Sequence, residues 1–552
     1  MSSGPPLANA PTLQGGTHAP AKRLGPVLAE IALIFAVFVV HAAWPAPDVN
    51  EAHYLGKARH FWNPEWSPGD FFLESADAHA VFYWLVGWLT VVMSLPAAAW
   101  CGRILTWWLM AWAWRRLSDA LVPAPWLAVI SAGLFVTLSE HTHMAGEWVV
   151  GGVEAKGFAY VLVLLALEAL VRDRWEWALC LLGAASSLHV LVGGWSVVAV
   201  GLAWLCLKRE HRPPWPDVAF GLFFGLILAL PGLWFALKLD LLAAPEVSDA
   251  ANVVYVYERL KHHLLPDTFE PAGIIKHVIL IGVWLVLCAV TPFDAGGRRF
   301  RLVVMGSLII GFVGVAIRFA TWHDPELSAG ILRYYWFRLG DALPPAGVAI
   351  VAMGHIAYVR RWHVAVGHFW LGAAVAVAGF HLGGLAVKRM LPDVPRGDRP
   401  GKVANFDDWR EACEWIKDNS PADARFITPR HAQTFKWHAS RAEVANWKDI
   451  PQNAEGTVKW WWRLRDLHWE ADDEAAPDER DEGRPPEIEL LRGDGANAGH
   501  WRGSLTKLTP ARLRRLGQRY EAGFVVTEAE PRLDLRLLYA NDTYAVYSLA
   551  PE

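Results

Sequence analysis

Eleven apolar runs constrain the fold of this chain more than any other feature. A helix that crosses a bilayer needs about 20 consecutive, predominantly apolar residues. Runs near that length, several of them short, lie at residues 25–44, 98–114, 120–138, 156–171, 175–190, 192–207, 217–236, 274–292, 302–320, 341–358 and 364–386. With 54% hydrophobic and only 19% charged residues, the composition is also that of a membrane protein. The sequence therefore predicts a mainly α fold, a polytopic bundle of transmembrane helices.

Basic residues beside these runs predict the orientation of the bundle. Cytoplasmic segments of membrane proteins carry an excess of Lys and Arg. A further run, 79–96, either crosses the bilayer or lies along its interface. If it lies at the interface and the N-terminus is cytoplasmic, six basic clusters fall inside, and if it crosses, most of them fall outside. The clusters are Lys22/Arg23, Arg115/Arg116, Arg172/Arg174, Lys208/Arg209/Arg212, Arg298/Arg299/Arg301 and Arg360/Arg361.

The orientation with all six clusters inside divides the chain into three regions. We expect residues 1–24 to be a disordered cytoplasmic segment. Residues 25–387 form the transmembrane domain, with about 11 spans, one interfacial helix and a long external loop at 45–97. Residues 388–552 form a small extracytoplasmic α/β domain. The protein is thus expected in the cytoplasmic (inner) membrane, with its N-terminus inside and its C-terminal domain outside.

The C-terminal region carries the patterns of a small α/β domain. Trp409, Ala412, Cys413 and Ile416 follow helical spacing. Short apolar segments predict strands, and a basic amphipathic segment predicts another helix; these lie at 424–428, 523–527 and 544–549, and at 509–520. The acidic run within 470–489 predicts a solvated loop, because runs of like charge are usually soluble surface.

The external loop after the first run concentrates residues that can carry chemistry. Asp48, Asn50, Glu51, His53 and Tyr54 follow the first span directly. A carboxylate held at a membrane surface and partly shielded from water can take a proton from a hydroxyl acceptor. Sugar transfer from a lipid phosphate needs such a base, together with cations that hold the leaving phosphate. This loop is therefore predicted to be an active-site loop.

Two later loops add further candidates. The first holds Glu140, His141, His143, Glu147, Glu154 and Lys156. His141 and His143 with Glu147 could ligate a metal, or bind interfacial water as ordinary polar residues. Before the tenth span, Arg333 and Arg338 flank an aromatic segment, where they could bind a phosphate headgroup. Snorkelling arginines, or a pair between Arg338 and Asp341, remain the alternatives.

The loop motifs resemble those of membrane glycosyltransferases of the GT-C type, such as protein O-mannosyltransferases and the transferases that add aminoarabinose to lipid A. That class has a first helix, a loop that opens with Asp-Glu-x-x-Tyr, then Gly-Asp, Tyr-Trp and Arg-Leu. The corresponding residues here are Asn50-Glu51-Ala52-His53-Tyr54, Gly69-Asp70, Tyr83-Trp84 and Arg103-Ile104. The first acid of the class falls at Asn50, so Glu51 matches the second acid and Asp48 is a displaced substitute.

The resemblance implies roles for particular residues. Glu51 is the expected general base, with Asp48 as the second candidate, and Glu154 sits where the class has an acid before the fourth helix. The expected substrate-binding residues are His53, Tyr54, Lys57, Asp70, Lys156, Arg333 and Arg338. No cofactor is expected, although a divalent metal is possible. The chain looks closer still to an uncharacterised family of planctomycete multi-pass membrane proteins with motifs like Asn50–Leu55 and Gly151–Tyr160.

These features predict a membrane glycosyltransferase. Its donor would be a sugar linked to polyprenyl phosphate, and its acceptor a glycan, lipid or protein outside the membrane. A net charge of −4 gives no reason to expect a nucleic-acid partner. The alternative is a non-catalytic flippase or transporter of a lipid-linked glycan, or an envelope assembly protein. A transporter should place charges or broken helices near the membrane centre, whereas the charges here cluster toward one face.

Overall fold

A computed structural model describes residues 24–240, 243–391, 394–468 and 503–550. Two predicted segments, the N-terminal region up to residue 23 and the acidic run 470–489, lie outside these described residues. The chain is mainly α, with a membrane helix bundle followed by a small α/β domain.

Each of the eleven apolar runs overlaps a helix of the bundle, and several of the runs extend beyond the ends of their helices. The helices of this region are α1 Leu24–Ala42, α2 Glu51–Trp62, α3 Ala80–Val86, α4 Leu89–Val92, α5 Leu95–Leu121, α6 Leu127–Thr142, α7 Ala155–Val171, α8 Trp175–Leu188, α9 Val190–Cys206, α10 Trp215–Asp240, α11 Pro245–Val253, α12 Lys261–Leu264, α13 Pro271–Val290, α14 Ala295–Ala320, α15 Pro325–Leu332, α16 Arg338–Trp362 and α17 Val364–Lys388. Among the described residues, six of these helices are long and apolar enough to cross a membrane: α1, α10, α13, α14, α16 and α17.

The ambiguous run 79–96 does not form one long helix. It divides into α3 and α4, of seven and four residues, before α5 begins at Leu95. Neither short helix could cross a bilayer alone, since a span needs about 20 residues. Part of this segment packs against α2, where Phe82, Tyr83 and Val86 join Leu55 and Ala58 in one apolar cluster.

The C-terminal region is an α/β domain, with every predicted element present in its described part. Its helices are α18 Phe406–Asn419, α19 Phe435–Ala439, α20 Ala454–His468 and α21 Pro510–Arg519. Its strands are β1 Arg425–Ile427, β2 Ala442–Glu443, β3 Phe524–Glu528, β4 Arg536–Ala540 and β5 Tyr544–Ser548. They form a mixed sheet in the order β2-β1-β3-β5-β4, with β1 parallel to both β2 and β3.

The two faces of the sheet pack against different helices, and one face connects this domain to the membrane domain. Successive side chains of a strand point to opposite faces of the sheet. Phe426 and Val526 pack against α18 and α19 on one face, where Trp409, Ala412, Cys413 and Ile416 of α18 are buried as their spacing predicts. The opposite face, with Ile427 and Val525, shares an apolar cluster with α20, α21, α11 and α15. The C-terminal domain therefore packs directly on the loops that follow α10 and α14.

Candidate functional site

The first loop and the loop before α7 meet at the N-terminal ends of α2 and α7. Asn50 is the N-cap residue of α2, and Glu154 is the N-cap residue of α7. Neither side chain caps its own helix, although Asn is among the preferred N-cap residues. Instead, Asn50 Nδ2 donates a hydrogen bond of 3.0 Å to Glu154 Oε2. Two residues 104 positions apart thus join the two loops in one polar site.

A glycine permits this close approach. An added Cβ at Gly152 would lie 2.8 Å from the Asp48 Cβ and 2.9 Å from Glu51 Oε1. Without a Cβ, the backbone beside it can reach the first loop, and Val153 N donates to Glu51 Oε1 at 2.9 Å. The Gly151-Gly152 pair that precedes Glu154 in the sequence is therefore part of the contact between the loops.

A chain of charged side chains continues from Glu154 through the site. Lys156 Nζ lies 3.4 Å from Glu154 Oε1 and 3.1 Å from Glu147 Oε1. Arg338 Nε lies 3.2 Å from Glu147 Oε2, and its Nη1 is 2.9 Å from His189 Nε2. The predicted alternative, a pair between Arg338 and Asp341, is wrong. Asp341 instead accepts the backbone N–H groups of residues 144, 145 and 147.

These groups border a cavity of about 590 Å³ that is rich in positive charge. Among the described residues that line it, six are cationic and two are carboxylates. They are Lys156, Arg259, Arg333, Arg338, Lys402 and Lys448, with Glu147 and Glu154. The excess of up to four positive charges makes the cavity suited to an anionic ligand. The N-terminal ends of α2 and α7 add further positive potential.

The apolar wall of the cavity comes from the membrane helices. Leu188, Val190 and Leu191 contribute from the junction of α8 and α9, and Ala236 and Leu239 from α10. Only 22% of the apolar window of α10 is buried, so this helix exposes most of its apolar surface. A polar compartment thus adjoins an apolar helix surface, which is an arrangement that fits an amphipathic ligand.

Burial controls the protonation of the groups in the site. Burial and the nearby Glu147 raise the pKa of Glu154, and the Lys156 ammonium opposes that shift. Burial lowers the pKa of His79 to about 3, and it also lowers the pKa of His53. Both histidines are therefore neutral near pH 7, and the positive charge of the cavity comes from its Lys and Arg residues.

The structure places six of the ten predicted site residues at this cavity. Those six are Glu154, His53, Tyr54, Lys156, Arg333 and Arg338. Asn50, to which the motif gave no role, also lines the cavity. His53 Nδ1 is 2.9 Å from Asp449 Oδ1, and the Tyr54 hydroxyl is 3.3 Å from His79 Nε2. Arg333 Nη1 donates to Asn252 Oδ1 at 2.5 Å.

The two acids expected to act as bases, Glu51 and Asp48, lie beside the cavity and do not line it. Glu51 is 1% exposed, and Arg103 donates to both of its oxygens at 2.6 Å. The backbone N–H groups of Asp48 and Val153 also donate to Glu51. Asp48 is 1% exposed, accepts from Val49 N and lies 3.8 Å from Arg396 Nε. Glu51 therefore has four donors and no opening toward the cavity.

Lys57 and Asp70, expected to bind substrate, hold the first loop in shape. The Lys57 ammonium donates to the carbonyl groups of Phe72, Leu73 and Ser75. Asp70 Oδ1 accepts from Phe72 N and Leu73 N, and its Oδ2 accepts from the backbone of the C-terminal domain. Neither side chain lines the cavity, and both are buried.

The residues of the site do not form a metal site. Among the described residues, no group of three or more His, Cys, Asp or Glu could hold a metal ion. The Lys156 ammonium lies within 3.4 Å of both carboxylates of the cavity, so a cation between them would have to displace it. His141 pairs with His381 at 3.2 Å and does not join His143 in a ligand set.

The sequence motifs did not predict that the C-terminal domain contributes residues to the site. Lys448 Nζ donates to Asn50 Oδ1 at 2.6 Å, across 398 positions of the chain. Trp447, Ile450 and Gln452 of the same segment line the cavity. The signal available in the sequence was the unusual Asn446-Trp447-Lys448-Asp449 segment, but its position in a separate domain gave no reason to connect it with the first loop.

Comparison with solved structures finds membrane glycosyltransferases of the GT-C type. The oligosaccharyltransferase of Archaeoglobus fulgidus, in complex with Zn and sulfate, has 12% identity and a TM-score of 0.39, over 91% of this chain and 68% of that one. The archaeal oligosaccharyltransferase AglB from Archaeoglobus fulgidus, with an inhibitory peptide and a dolichol-phosphate, has 11% identity and a TM-score of 0.41, over 91% and 69%. ArnT from Cupriavidus metallidurans, bound to undecaprenyl phosphate, has 10% identity and a TM-score of 0.32, over 96% and 98%.

Comparison with known sequences identifies one family, which covers only part of the C-terminal domain. Residues 407–467 match a family described as a domain of unknown function, DUF6798, and this segment includes Lys448. No curated protein matches the chain. Since the TM-scores of the solved structures lie below 0.5, a proposed function must rest on the residues of the cavity.

Proposed function

We propose that the protein is an integral membrane glycosyltransferase that uses a polyprenyl-phosphate-linked sugar and an acceptor outside the cytoplasmic membrane. The observation that carries this proposal is the cavity, which combines a buried carboxylate, an excess of cations and an apolar wall beside α10. A lipid phosphate needs the cations and the apolar wall, and a hydroxyl acceptor needs the carboxylate. Few other ligands require all three.

In this proposal, Glu154 is the general base. Its Oε1 accepts no hydrogen bond from the described residues and lies 3.4 Å from Lys156 Nζ. That oxygen can take the proton of the acceptor hydroxyl as the hydroxyl oxygen attacks the anomeric carbon of the sugar. The bond from that carbon to the phosphate oxygen breaks, and the phosphate leaves with the electron pair. Cations near the leaving oxygen stabilise its charge.

Asn50 fits this assignment better than an acid would. Two carboxylates about 3 Å apart cannot both be ionised, since each raises the pKa of the other. The amide of Asn50 instead donates to Glu154 and leaves it as the one acid at this contact. The departure from the acidic motif of the GT-C class is therefore compatible with a base supplied by the second loop.

The test of the proposed function is a comparison of cells with and without the gene. Mass spectrometry of their glycolipids and glycoproteins should show one glycan modification that is lost on deletion and restored by the parental gene. Unchanged glycans would overturn the proposal. Accumulation of a lipid-linked glycan on the cytoplasmic side, with its transfer enzyme intact, would favour the flippase or transporter instead.

The orientation proposed for the bundle has its own test. We expect the N-terminus to be cytoplasmic and the C-terminal domain to be external, because this places all six basic clusters inside. Fusions of a reporter that is active only outside should be active after residues 148 and 395 and inactive after residues 123 and 210. A fusion at 395 that is active only with a cytoplasmic reporter would contradict both the orientation and an external active site.

Arg333 is the proposed clamp for the donor phosphate. It lines the cavity and is partly exposed, whereas Arg338 is 9% exposed and is held by Glu147 and His189. A guanidinium can bind two phosphate oxygens at once, which an ammonium cannot. We expect Arg333→Lys to weaken binding of undecaprenyl phosphate by roughly 1–3 kcal/mol, the range for a charge-assisted hydrogen bond.

The measurement for Arg333 is lipid affinity of the purified protein in nanodiscs. Arg361→Lys is the matched control, because Arg361 is exposed at the opposite, predicted cytoplasmic end of α16. If Arg333→Lys binds the lipid as tightly as the parent and the control do, Arg333 has a structural role.

A further inference from the structure

The C-terminal domain reaches into the cavity through one lysine. Lys448 lines the cavity, and its Nζ donates to Asn50 Oδ1 at 2.6 Å. The same Asn50 side chain donates to Glu154. An ammonium from the second domain thus stands two hydrogen bonds from the proposed base.

The backbone beside Lys448 is held rigidly. Asn446 is fully buried, and its Oδ1 accepts from Lys448 N and Asp449 N at 2.8 and 2.9 Å. Asp449 in turn binds the Lys436 ammonium at 2.7 Å and His53 at 2.9 Å. Since His53 belongs to α2, Asp449 fastens the segment to the first loop directly beside Lys448. A lysine held only for packing would not need its ammonium placed in a polar cavity in this way.

We infer that Lys448 is a phosphate-binding residue of the active site, supplied by the domain of unknown function, and that its ammonium contacts the anionic headgroup of the lipid donor. This inference rests on the proposed function. It gives the C-terminal domain a direct part in the reaction, because the site is incomplete without it. When the donor binds, the ammonium either replaces its hydrogen bond to Asn50 by one to a phosphate oxygen or donates to both acceptors.

The surroundings of Lys448 make its charge sensitive to pH. Burial, and then the nearby Arg259 guanidinium, lower the pKa of Lys448 to about 7, against the opposing effect of Glu154. The other groups that face it are Lys402, Asp449, His53 and His262. Desolvation lowers the pKa of His262 to about 4, so His262 stays neutral between pH 6 and 8.5. Burial also lowers the pKa of His53. Lys448 is then an ammonium below about pH 7 and a neutral amine above it.

Three variants separate the charge of Lys448 from its packing. Lys448→Arg keeps a positive charge at every pH of the experiment, Lys448→Met removes it, and Lys417→Met is a control at an exposed position of the same domain. The affinity for undecaprenyl phosphate is measured in nanodiscs with the full-length protein at pH 6 and pH 8.5. Thermal unfolding of each variant checks that it is folded.

At pH 6, we expect Lys448→Met to bind the lipid at least about 10-fold more weakly than the parent, the loss of one charge-assisted hydrogen bond. The lipid phosphate itself becomes more negative as the pH rises through about 6. The affinities of the variants are therefore compared with each other at each pH. Between pH 6 and 8.5, the parent should lose about 10-fold in affinity relative to Lys448→Arg. Free inorganic phosphate as competitor distinguishes a site for the phosphate from a site for the lipid chain.

The outcomes separate the two proposals. If the parent binds the lipid but neither Lys448 variant changes the affinity or its pH dependence, the role of Lys448 is overturned and the proposed function is not. If the parent binds no lipid phosphate at either pH, both are overturned. If Lys448→Met weakens binding and deletion of the gene leaves the glycans unchanged, the phosphate site stands and glycosyl transfer fails.

Discussion

Replacing Glu154 by Gln should abolish sugar transfer, with a loss in rate on the order of 100- to 10,000-fold. The change preserves the shape of the side chain and can keep a contact with Asn50, but an amide cannot take a proton from the acceptor. The measurement is the glycan lost on gene deletion, quantified in cells that carry the variant. Donor affinity and the amount of folded protein in the membrane should remain close to those of the parent.

The control for this variant is Glu270→Gln, since Glu270 is exposed in the loop before α13. The pH dependence supplies a second check. Because burial raises the pKa of Glu154, its basic form is lost as the pH falls through that raised value, and transfer should fall on the acidic side. Glu154→Gln activity within a few-fold of the parent would rule out Glu154 as the base.

Much of the fold follows from the sequence because the bilayer demands it. A span must satisfy its backbone hydrogen bonds internally, so an apolar run of sufficient length becomes a helix almost wherever it occurs. In the C-terminal domain, α18 was predicted for a different reason, since its four apolar residues follow helical spacing and are all buried. The run 79–96 was ambiguous because its composition allows either a span or an interfacial segment. Its packing against α2 cannot be predicted from the local sequence pattern.

The site was predicted only in part. The loops that carry Asn50 and Glu154 were identified from their polar residues, but hydropathy cannot tell which acid faces a cavity and which faces a buried partner. Glu51 and Glu154 look alike as acids beside apolar runs, and only the packing of α5 places Arg103 against Glu51. Lys448 was missed for a related reason, because a contact across 398 positions leaves no periodicity in the sequence.

Breaking the buried pair of Glu51 and Arg103 should cost about 3–5 kcal/mol in stability, the usual effect of leaving one buried charge without its partner. Arg103 is 0% exposed and binds both oxygens of Glu51, and it also donates to the carbonyl of Trp44, which follows shortly after the end of α1. The pair therefore joins α1, α2 and α5. Glu51→Gln and Arg103→Leu should each lower the midpoint of thermal unfolding in detergent and the yield of folded protein.

The double variant Glu51→Leu/Arg103→Leu is expected to recover part of the loss, because replacing both members of a buried pair removes the unpaired charge. Glu65→Gln, an exposed acid of the same loop, is the control and should unfold like the parent. The comparison of these variants also decides whether Glu51 or Glu154 is the general base. If Glu51→Gln is as stable as the parent yet makes no product, Glu51 is the base that the resemblance predicts and Glu154 is its partner. If Glu51→Gln is destabilised while Glu154→Gln is stable and inactive, Glu51 positions the first loop and Glu154 takes the proton.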